Sequence, residues 1–375
     1  MASKTHILIL SSWYPSEDKP FLGNFVQRSA RLLSKKYKVS VLTTRSDSAT
    51  KSIIINTLHS EDLTEYEAVY PTSHFMLRRK KNHEEAFNLG LRNIDHVDIV
   101  IGHIALPKSW QFIIAKNNYN CPLIYVEHGS YFRKEIQNKW RLIDKIFLKR
   151  LKNNIDEIVA VSAFLKKDMQ RYFDEFSISI IGNSVDMDLF SLKERYEANK
   201  KYNFLHISTL DEQTKNPIGI LNACKILSEK TRDFTLTIVS DEDYSKYAQF
   251  VKEQKIDDIV SFQGPLKLEE TIEYYHRADA FVLYSKYETF SIVIAEAWAT
   301  GTPIITTKVG IASDMPLKSG VNIEHDNDQE LAEVMLSFIE QGIKFDKVQI
   351  REYAKQFGND ETLSSWTDLI ERHVR

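Results

Sequence analysis

The chain has 375 residues, of which 43% are hydrophobic and 27% charged, and a formal net charge of −3. This composition excludes a disordered protein, and the length exceeds that of one ordinary hydrophobic core, so we expect two domains of about 180 residues each. The only two cysteines, Cys121 and Cys224, lie far apart and lack metal-ligand spacing. They indicate buried thiols in a reducing compartment rather than a disulfide.

The start of the chain, MASKTHILILSSWYP, has an apolar run too short for a signal peptide, and no window approaches a membrane span. We therefore expect a cytoplasmic protein. Residues 1–190 carry 27 basic and 21 acidic side chains, so the N-terminal half is basic. This charge favours peripheral contact with anionic lipid on the inner face of the membrane, or with an anionic acceptor. The alternative, that this excess of basic residues has no function, stays open.

The first elements predict a βαβ unit, with a strand at His6–Leu10, a helix at Phe25–Lys36 and a strand at Val39–Thr43. This opening is Rossmann-like, but it lacks a G-x-G-x-x-G motif, so no dinucleotide redox cofactor is expected. Ile53–Thr57 is a further candidate strand. The basic cluster Arg78–Lys81 precedes a predicted helix and is either a solvated face or a contact for phosphate-bearing lipid.

Two predicted strands end at histidines, since Asp98–Gly102 leads into His103 and Leu123–Val126 leads to His128. The carboxyl ends of parallel strands form the edge of the sheet where ligands bind. Both histidines are therefore candidate ligand contacts, with structural roles as the alternative.

A predicted amphipathic helix, Lys139–Lys152, carries a stripe of apolar residues. It either packs on the sheet or lies on a membrane surface. Its predicted stripe consists of Trp140, Ile143, Phe147 and Leu151.

A charged segment, Leu192–Lys201, is the predicted linker, and Tyr202–Ser208 begins a second Rossmann-like domain. Helices are predicted for the C-terminal region at Asp328–Gln341, Asp346–Gln356 and Asp360–His373.

The most informative stretch is Ala280–Val309, which predicts a strand, a loop, a helix at Phe290–Thr300, a Gly301 C-cap and a second strand at Ile304–Thr307. Such a unit is a parallel crossover whose strand ends open onto a ligand crevice. With Thr289 as N-cap, the helix start would offer free backbone N–H groups to an anion.

Two carboxylates accompany this helix start, Glu288 in the loop and Glu296 on the helix. Eight helical residues span at most roughly 12 Å, which is about the length of a nucleotide-sugar from hexose to ribose. A diphosphate at the helix start, with one acid on each sugar, makes a coherent site. Two glutamates at this spacing also occur by chance.

The segment E-T-F-S-x5-E-A-x3-G-T-P-I-I-T-T resembles the E-x7-E segment of retaining GT-B glycosyltransferases, especially family 4. Other segments resemble the same family: SWYPS…FLGNFV with Gly23, EHGS with His128, NSVDMDLF at the domain junction, STLDEQTKNP with Lys215, QGPL with Leu266, and KVGIAS.

The resemblance implies an α/β fold of the GT-B type, with two Rossmann-like domains facing across a cleft. It implies an N-terminal acceptor-binding domain at 1–188, a donor-binding domain at 200–357, and a C-terminal helix at 358–375 that packs back on the first. The implied reaction transfers a sugar from a UDP- or GDP-sugar to an acceptor hydroxyl of a glycan or lipid-linked acceptor, with retention of configuration. Cell-surface polysaccharide or glycolipid synthesis is the implied setting.

The resemblance also assigns roles to residues. His128 would face the transferred sugar, Lys215 would clamp the donor diphosphate, and Glu288 would bind sugar hydroxyls; these three form the predicted catalytic set. The predicted donor-binding set is Gly23, Ser208, Thr209, Leu266, Thr289, Phe290, Ser291, Ile292 and Glu296.

One position departs from the family pattern, because Thr209 stands where the family has an arginine that clamps phosphate. This departure motivates an alternative, a non-catalytic nucleotide-sugar or glycan-binding protein that kept the fold. A GT-B-type epimerase is a further alternative. No metal site, no cofactor and no nucleic-acid partner is predicted, because no His/Cys/Asp cluster has ligand spacing and basic residues are not interleaved with aromatics.

Overall fold

The computed structural model describes residues 4–192, 201–340 and 345–374. The chain forms two compact units: unit 1 comprises Met1–Ser184 and Thr362–Arg375, and unit 2 comprises Val185–Glu361. Each unit is a parallel, or nearly parallel, β-sheet covered by helices, so the expected fold of two Rossmann-like α/β domains is confirmed. Of the predicted linker Leu192–Lys201, residues 193–200 lie outside the described residues.

The sheet of unit 1 has eight strands: β1 (His6–Ser11), β2 (Lys38–Asp47), β3 (Ile54–Ser60), β4 (Leu63–Pro71), β5 (Ile99–His103), β6 (Leu123–Glu127), β7 (Glu157–Ala160) and β8 (Ile178–Ile180). Their order is β3-β4-β2-β1-β5-β6-β7-β8. All neighbours are parallel except β3 and β4, which form an antiparallel pair. Because β1 lies between β2 and β5, the strand order reverses there, which creates a switch point.

Six helices of unit 1 precede the junction: α1 (Asn24–Ser34), α2 (Met76–Leu91), α3 (Ser109–Tyr119), α4 (Lys134–Gln137), α5 (Leu142–Lys152) and α6 (Ala163–Gln170). The central strands carry the core, because every residue of β1, β5 and β6 is buried. Continuous burial on both faces is typical of strands in a parallel sheet.

Two predictions for unit 1 are wrong, and one strand was missed. The basic cluster Arg78–Lys81 does not precede a helix, because α2 begins at Met76 and contains the cluster. The stripe predicted for Lys139–Lys152 is wrong in part, because the helix begins at Leu142 and buries Asp144, Leu148 and Leu151, whereas Ile143 is 44% exposed. Trp140 lies before the helix and donates its indole N–H to the Tyr131 carbonyl. The strand β4 was not predicted, because its central residues alternate charged and aromatic side chains and are only half-buried.

The sheet of unit 2 has six parallel strands: β9 (Tyr202–Ile207), β10 (Phe234–Val239), β11 (Val260–Gln263), β12 (Ala280–Leu283), β13 (Ile304–Thr307) and β14 (Gly320–Ile323). Their order is β11-β10-β9-β12-β13-β14. The first strand, β9, therefore lies between β10 and β12, and the switch point of this sheet is between β9 and β12.

The helices of unit 2 are α7 (Pro217–Ser228), α8 (Ser245–Glu253), α9 (Leu268–Arg277), α10 (Ile292–Ala299), α11 (Asp328–Glu340) and α12 (Lys347–Ala354). They surround a core of aliphatic and aromatic side chains such as Ile220, Leu236 and Tyr247. A last helix, α13 (Asn359–His373), runs from the end of unit 2 into unit 1.

Candidate functional site

The site in unit 2 is built on the loops that follow strands β9 and β12, which are neighbours at the switch point. Lys215 lies in the first loop and Glu288 in the second, and their side chains form an ion pair with Nζ 2.6 Å from Oε1. Ser285 Oγ donates a hydrogen bond of 2.8 Å to the same carboxylate oxygen. Because Glu288 is only 8% exposed, these two donors satisfy a carboxylate that would be costly to bury alone.

Backbone hydrogen bonds position Lys215. Its own N–H donates to the Asp211 carbonyl at 2.7 Å, and the Asp211 carboxylate accepts from the Thr214 N–H at 3.1 Å. The Thr214 carbonyl in turn accepts from the N–H of Lys286 at 2.7 Å, which ties the β9 loop to the β12 loop. The fold thus holds the lysine and the glutamate together through main-chain contacts as well as through their charges.

Ser208, a predicted donor-binding residue, follows β9 and interacts with a buried histidine. His206 Nδ1 lies 2.8 Å from the Val282 carbonyl, so Nδ1 carries the proton and Nε2 accepts from Ser208 Oγ at 2.8 Å. The same hydroxyl accepts from the Leu210 N–H at 3.1 Å. Burial lowers the pKa of His206 to about 4, the Val282 carbonyl opposes this shift, and the charge of Lys215 adds to it. His206 is a member of the site that the sequence did not identify.

Thr209 and Leu266 lie in turns at the carboxyl ends of strands β9 and β11. Thr209 is exposed, and Leu266 is half-buried. A Cβ added to the neighbouring Gly264 would meet no atom within 4 Å, so this turn is open to a ligand. Both residues are placed where a donor would bind at a switch point, and their contacts stay predictions.

The prediction that Thr289 caps a helix beginning at Phe290 is wrong. The helix begins at Ile292, and its N-cap is Ser291, which has a left-handed backbone with φ 73°. The Phe290 side chain is buried and packs edge-on against Phe357 at 5.6 Å. The path of the chain before the helix is therefore determined by burial of this aromatic ring rather than by local helix-start signals.

The correction moves the anion-binding backbone groups by two residues. The N–H groups of Ile292 and Val293 occupy the first positions of α10, where no intrahelical acceptor exists, and the Ile294 N–H donates to the Ser291 carbonyl at 3.2 Å. The Ser291 hydroxyl is buried and has no hydrogen-bond partner in the described part of the chain. A helix start with an unused hydroxyl suits an anionic ligand.

Gly310 lets a second turn approach this helix start. Its φ is +51°, and an added Cβ would lie 2.4 Å from the Phe290 carbonyl oxygen and 3.2 Å from Glu288 Cβ. The neighbouring Ile311 N–H donates to the same carbonyl at 3.0 Å. Only glycine fits here, so the K-V-G turn supports the loop that carries Glu288.

Glu296 lies inside α10 and is only 4% exposed. The Tyr275 hydroxyl donates to its Oε2 at 3.1 Å and lies 3.3 Å from the Val293 carbonyl. The tyrosine therefore fixes one carboxylate oxygen of Glu296. The predicted ribose contact of Glu296 stays a prediction.

The site in unit 1 contains a pair of buried histidines at the carboxyl ends of β5 and β6. His103 Nδ1 lies 2.9 Å from His128 Nε2. The remaining ring nitrogens, His103 Nε2 and His128 Nδ1, are buried without a hydrogen-bond partner among residues 4–192. Burial lowers the pKa of His103 to about 3. Burial and the neighbouring His103 hold the pKa of His128 well below its usual range, and Asn183 opposes them.

Two neutral imidazoles in this geometry share one hydrogen bond, so one of their outer nitrogens is a donor and the other an acceptor. The opposite pair of neutral tautomers, in which the proton of the 2.9 Å contact belongs to the other ring and each outer nitrogen has changed its protonation, reverses these roles. The outer nitrogen of His128 can therefore either donate to or accept from a ligand hydroxyl. This property suits a group that contacts a sugar or an acceptor hydroxyl.

Glu127 and Phe25 hold the His128 ring in place. The Glu127 carboxylate accepts from the backbone N–H of His128 at 2.8 Å and of Gly129 at 2.6 Å, and it also accepts from the Tyr125 hydroxyl. Burial raises the pKa of Glu127, and these three donors oppose the shift. The Phe25 ring stacks on the His128 ring at 4.5 Å.

Gly23 is the N-cap of α1 and has a φ of 70°. An added Cβ would lie 2.4 Å from the Trp13 carbonyl oxygen, so the turn after β1 requires glycine. This contact supports a role in shaping the loop, and the predicted donor contact stays a prediction.

The structure therefore joins Lys215 and Glu288 directly in unit 2, near Ser208 and the start of α10, whereas His128 and Gly23 belong to unit 1. The sequence did not identify three supporting residues. For two of them the signal is a polar residue near the carboxyl end of a strand, whereas the third lies on a helix at a spacing that is typical of core residues. These residues are Ser285, His206 and Tyr275.

Two family descriptions match the chain. Residues 22–189 match the family described as Glycosyltransferase Family 4, and residues 188–357 match the family described as Glycosyl transferases group 1. An uncharacterised glycosyltransferase of Methanocaldococcus jannaschii is 25% identical over 263 residues, which cover 68% of this chain and 69% of that protein. The two matched regions fall on the two halves of the chain and meet at the junction.

Two solved structures show the same fold. Sucrose-phosphate synthase from Thermosynechococcus elongatus has a TM-score of 0.72 and 17% identity, with 98% of this chain and 97% of that chain covered. A protein of Anabaena solved in complex with UDP has a TM-score of 0.70 and 14% identity, with 98% of this chain and 100% of that chain covered. At these identities the likeness shows the fold.

Proposed function

We propose a specific reaction for this chain, which belongs to the group 1 glycosyltransferases and has the GT-B fold: transfer of a sugar from a UDP- or GDP-sugar to an acceptor hydroxyl, with retention of anomeric configuration. The chain is an enzyme that uses a nucleotide-sugar donor. Retention, the donor base and the acceptor are the parts that we propose. The comparisons give no support to the alternative of a non-catalytic binding protein.

The ion pair of Lys215 and Glu288 is the observation that carries the proposal. It lies at the ends of adjacent strands at the switch point, where open α/β sheets bind their ligands. An ammonium group has three N–H donors, so Lys215 can hold Glu288 and a phosphate oxygen at the same time. The sugar attached to that phosphate would then meet the Glu288 carboxylate.

The proposed chemistry needs stabilisation of a leaving nucleoside diphosphate. Lys215 and the first N–H groups of α10 supply positive charge and hydrogen bonds, and we propose that they do so without a divalent metal. One well-placed donor of this kind is typically worth about 3–4 kcal/mol in the transition state. We propose that the acceptor attacks on the face from which the phosphate leaves, so no protein nucleophile is required.

The acceptor proposal rests on charge. The half of the chain up to residue 190 has 27 basic and 21 acidic side chains. We propose that the acceptor is a cell-surface glycan or a lipid-linked molecule. We also propose that the enzyme is cytoplasmic and contacts the inner face of the membrane. No helix in the described ranges is long and apolar enough to cross a bilayer.

The test compares Lys215→Ala with Lys246→Ala. Lys246 also forms an ion pair in unit 2, with Glu212 at 2.7 Å, but both of its partners are exposed. We expect Lys215→Ala to lower the transfer rate by about 100-fold or more and to weaken UDP or GDP binding, because it removes a transition-state donor. Transfer of radiolabelled sugar from a donor panel and calorimetry of nucleotide binding measure these effects.

Lys246→Ala should keep at least half of the activity, EDTA should leave the rate unchanged, and NMR of the product should show the anomeric configuration of the donor. If Lys215→Ala matched Lys246→Ala in both rate and affinity, the proposed site would be wrong. Loss of activity in EDTA that added metal restored would contradict the metal-independent mechanism.

A further inference from the structure

The start of helix α2 exposes three consecutive large apolar side chains. Phe75, Met76 and Leu77 are 75%, 73% and 81% exposed. They are the N-cap and the first two residues of the helix, and none of them packs in the core. The basic cluster Arg78–Lys81 follows them directly, and all four of its residues are exposed. Contiguous exposed apolar residues on a folded surface mark an interaction site.

Helix α5 repeats this combination. Leu142, Ile143 and Ile146 are 76%, 44% and 41% exposed, although they lie on a helix whose other face is buried. The basic residues between and after them are exposed as well: Lys145, Lys149 and Arg150.

Few acidic groups oppose these cations. On α2, Glu84 lies 3.7 Å from Lys80 in an exposed pair, and Glu85 follows it. On α5, Asp144 is buried and accepts from the Arg141 guanidinium at 2.9 Å. The first two turns of α2 therefore carry four cations and no acid, so the exposed apolar residues lie within a positive field.

The two helices lie on the same face of the sheet. Helix α2 connects β4 to β5, and α5 lies between β6 and β7. Both connections lead across the sheet towards its β8 edge. Right-handed crossovers place such helices on one face, and both begin at the carboxyl edge of the sheet. A cavity of about 410 Å³ has walls from α2, α3 and α5, with Lys80 on one side and Arg150 on the other.

The walls of this cavity are mainly apolar, with Trp110, Ile113 and Phe147 among them. The cavity therefore adds an apolar lining between the two helices that carry the exposed apolar residues, with Lys80 and Arg150 beside it. Apolar side chains that penetrate a headgroup layer, with cations beside them, are the features that bind a protein to an anionic bilayer. A protein partner would need matched apolar and acidic groups in a fixed arrangement, whereas a bilayer needs only their proximity.

We propose that the first turns of α2 and α5 form a surface by which unit 1 binds to an anionic lipid bilayer, with Phe75, Met76 and Leu77 inserted among the headgroups. The inference deepens the membrane contact of the proposed function. It depends on surface residues that have no part in the proposed donor site.

The test is sedimentation of the full-length protein with vesicles of phosphatidylcholine alone or with one third phosphatidylglycerol. The variants are Phe75→Ser/Met76→Ser/Leu77→Ser and Arg78→Gln/Arg79→Gln/Lys80→Gln/Lys81→Gln. The matched control, Leu317→Ser/Lys318→Gln, removes an apolar side chain that is 90% exposed and an adjacent exposed cation in unit 2. Unchanged circular dichroism and urea unfolding verify that each variant folds.

We expect the wild-type protein and the control to bind anionic vesicles at least tenfold more tightly than neutral ones. Each α2 variant should lose at least 90% of this binding, and raising the salt concentration should weaken wild-type binding. The proposal is overturned if the wild-type protein does not bind anionic vesicles, if it binds both kinds equally, or if the Phe75–Leu77 variant binds like the control. The assay contains no sugar donor, so its failure would leave the proposed transferase reaction untouched.

Discussion

Lys215 and Glu288 are in contact although 73 positions separate them in the chain. Several other polar residues of the two units are likewise buried against partners from other strands, such as His206 against the Val282 carbonyl and His103 against His128. These contacts keep the histidines neutral, because burial disfavours the charged imidazolium. At the residue scale, the protein should therefore be sensitive to protonation of its buried histidines.

We predict that stability falls as the pH drops below about 6.5. Burial lowers the pKa of His206 from an ordinary 6.5 to about 4, so the folded state favours the neutral form. The stabilisation is then complete above pH 6.5 and is lost as the pH falls towards 4. For one histidine, a pKa difference of this size lowers the free energy of unfolding by about 2 kcal/mol at pH 5. Urea unfolding followed by circular dichroism at pH 7.5, 6 and 5 measures the loss.

The variant His206→Gln should be less stable than the wild type at pH 7.5 but should lose less stability between pH 7.5 and pH 5. His59→Gln changes an exposed histidine and serves as the control. A stability profile that is flat from pH 7.5 to pH 5, or a His206→Gln slope equal to that of the wild type, would contradict the prediction.

Helix α10 shows how an element is positioned from both ends. Most of its residues are buried, including Trp298, whose ring packs against Tyr353 of α12 and against Phe357. At its end, the Arg351 guanidinium of α12 donates to the carbonyl of Ala299. The helix start, which belongs to the proposed donor site, is thus supported by contacts of α12 with the other end of the helix.

We predict that Arg351→Met destabilises unit 2 by about 3 kcal/mol. Arg351 also donates to the carbonyls of Phe190 and Met187, both at 2.6 Å. Hydrogen bonds to a charged group contribute about 1.5–3 kcal/mol each and are not additive, and the substitution leaves three carbonyls without this donor. Labelling of the buried Cys224 thiol in a urea series reports the opening of unit 2.

Lys355→Met is the control, because Lys355 belongs to the same region and pairs with Glu352 at the surface. It should shift the midpoint of Cys224 labelling by less than a third of the Arg351→Met shift. Equal shifts in the two variants would show that the three carbonyl contacts contribute no more than a surface pair.

The whole chain consists of two parallel sheets, each with its polar residues at a switch point, and helix α13 returns from unit 2 to unit 1. Trp366, Leu369 and Ile370 of this helix are buried. Lys36, two residues after the end of α1, lies 3.3 Å from Glu371, so α13 also contacts the turn that follows the first helix. Unit 1 is therefore complete only with the last residues of the sequence.

We predict that Trp366→Ala destabilises unit 1 by about 3–5 kcal/mol, the usual cost of removing a buried aromatic side chain. Each unit contains one buried cysteine, Cys121 in unit 1 and Cys224 in unit 2. Burial raises the pKa of Cys121 to about 11 and of Cys224 to about 12, so both thiols react slowly until they are exposed. Pulsed thiol labelling in urea followed by mass spectrometry distinguishes the two units.

Cys121 should become labelled at a lower urea concentration in Trp366→Ala than in the wild type, whereas the Cys224 midpoint should stay the same. Ser364→Ala changes an exposed residue of the same helix and is the neighbouring control. An unchanged Cys121 midpoint would contradict the importance of α13 for unit 1.

The sequence alone determined the class of the fold and most of its elements. Apolar runs of strand length and helical periodicity predicted the buried strands, the C-terminal helices and the crossover around Glu288, because burial of apolar residues dictates these patterns locally. The polar residues after strands β5, β6 and β12 followed from the same argument, since parallel strands gather their carboxyl ends at one edge, whereas those after β9 came from the family resemblance. The half-buried strand β4 was not predicted, because its sequence lacks an apolar run.

Only the tertiary structure decided how those residues are used. Burial of Phe290 against Phe357 moved the start of α10 from Phe290 to Ile292. His206 joined the site through its contact with the Val282 carbonyl of the adjacent strand, and Lys215 was brought to Glu288 across 73 positions. Such contacts join residues far apart in the chain, and their energies depend on distance and burial in space. A one-dimensional pattern carries neither quantity, so it can predict which residues reach the sheet edge but not which atoms meet there.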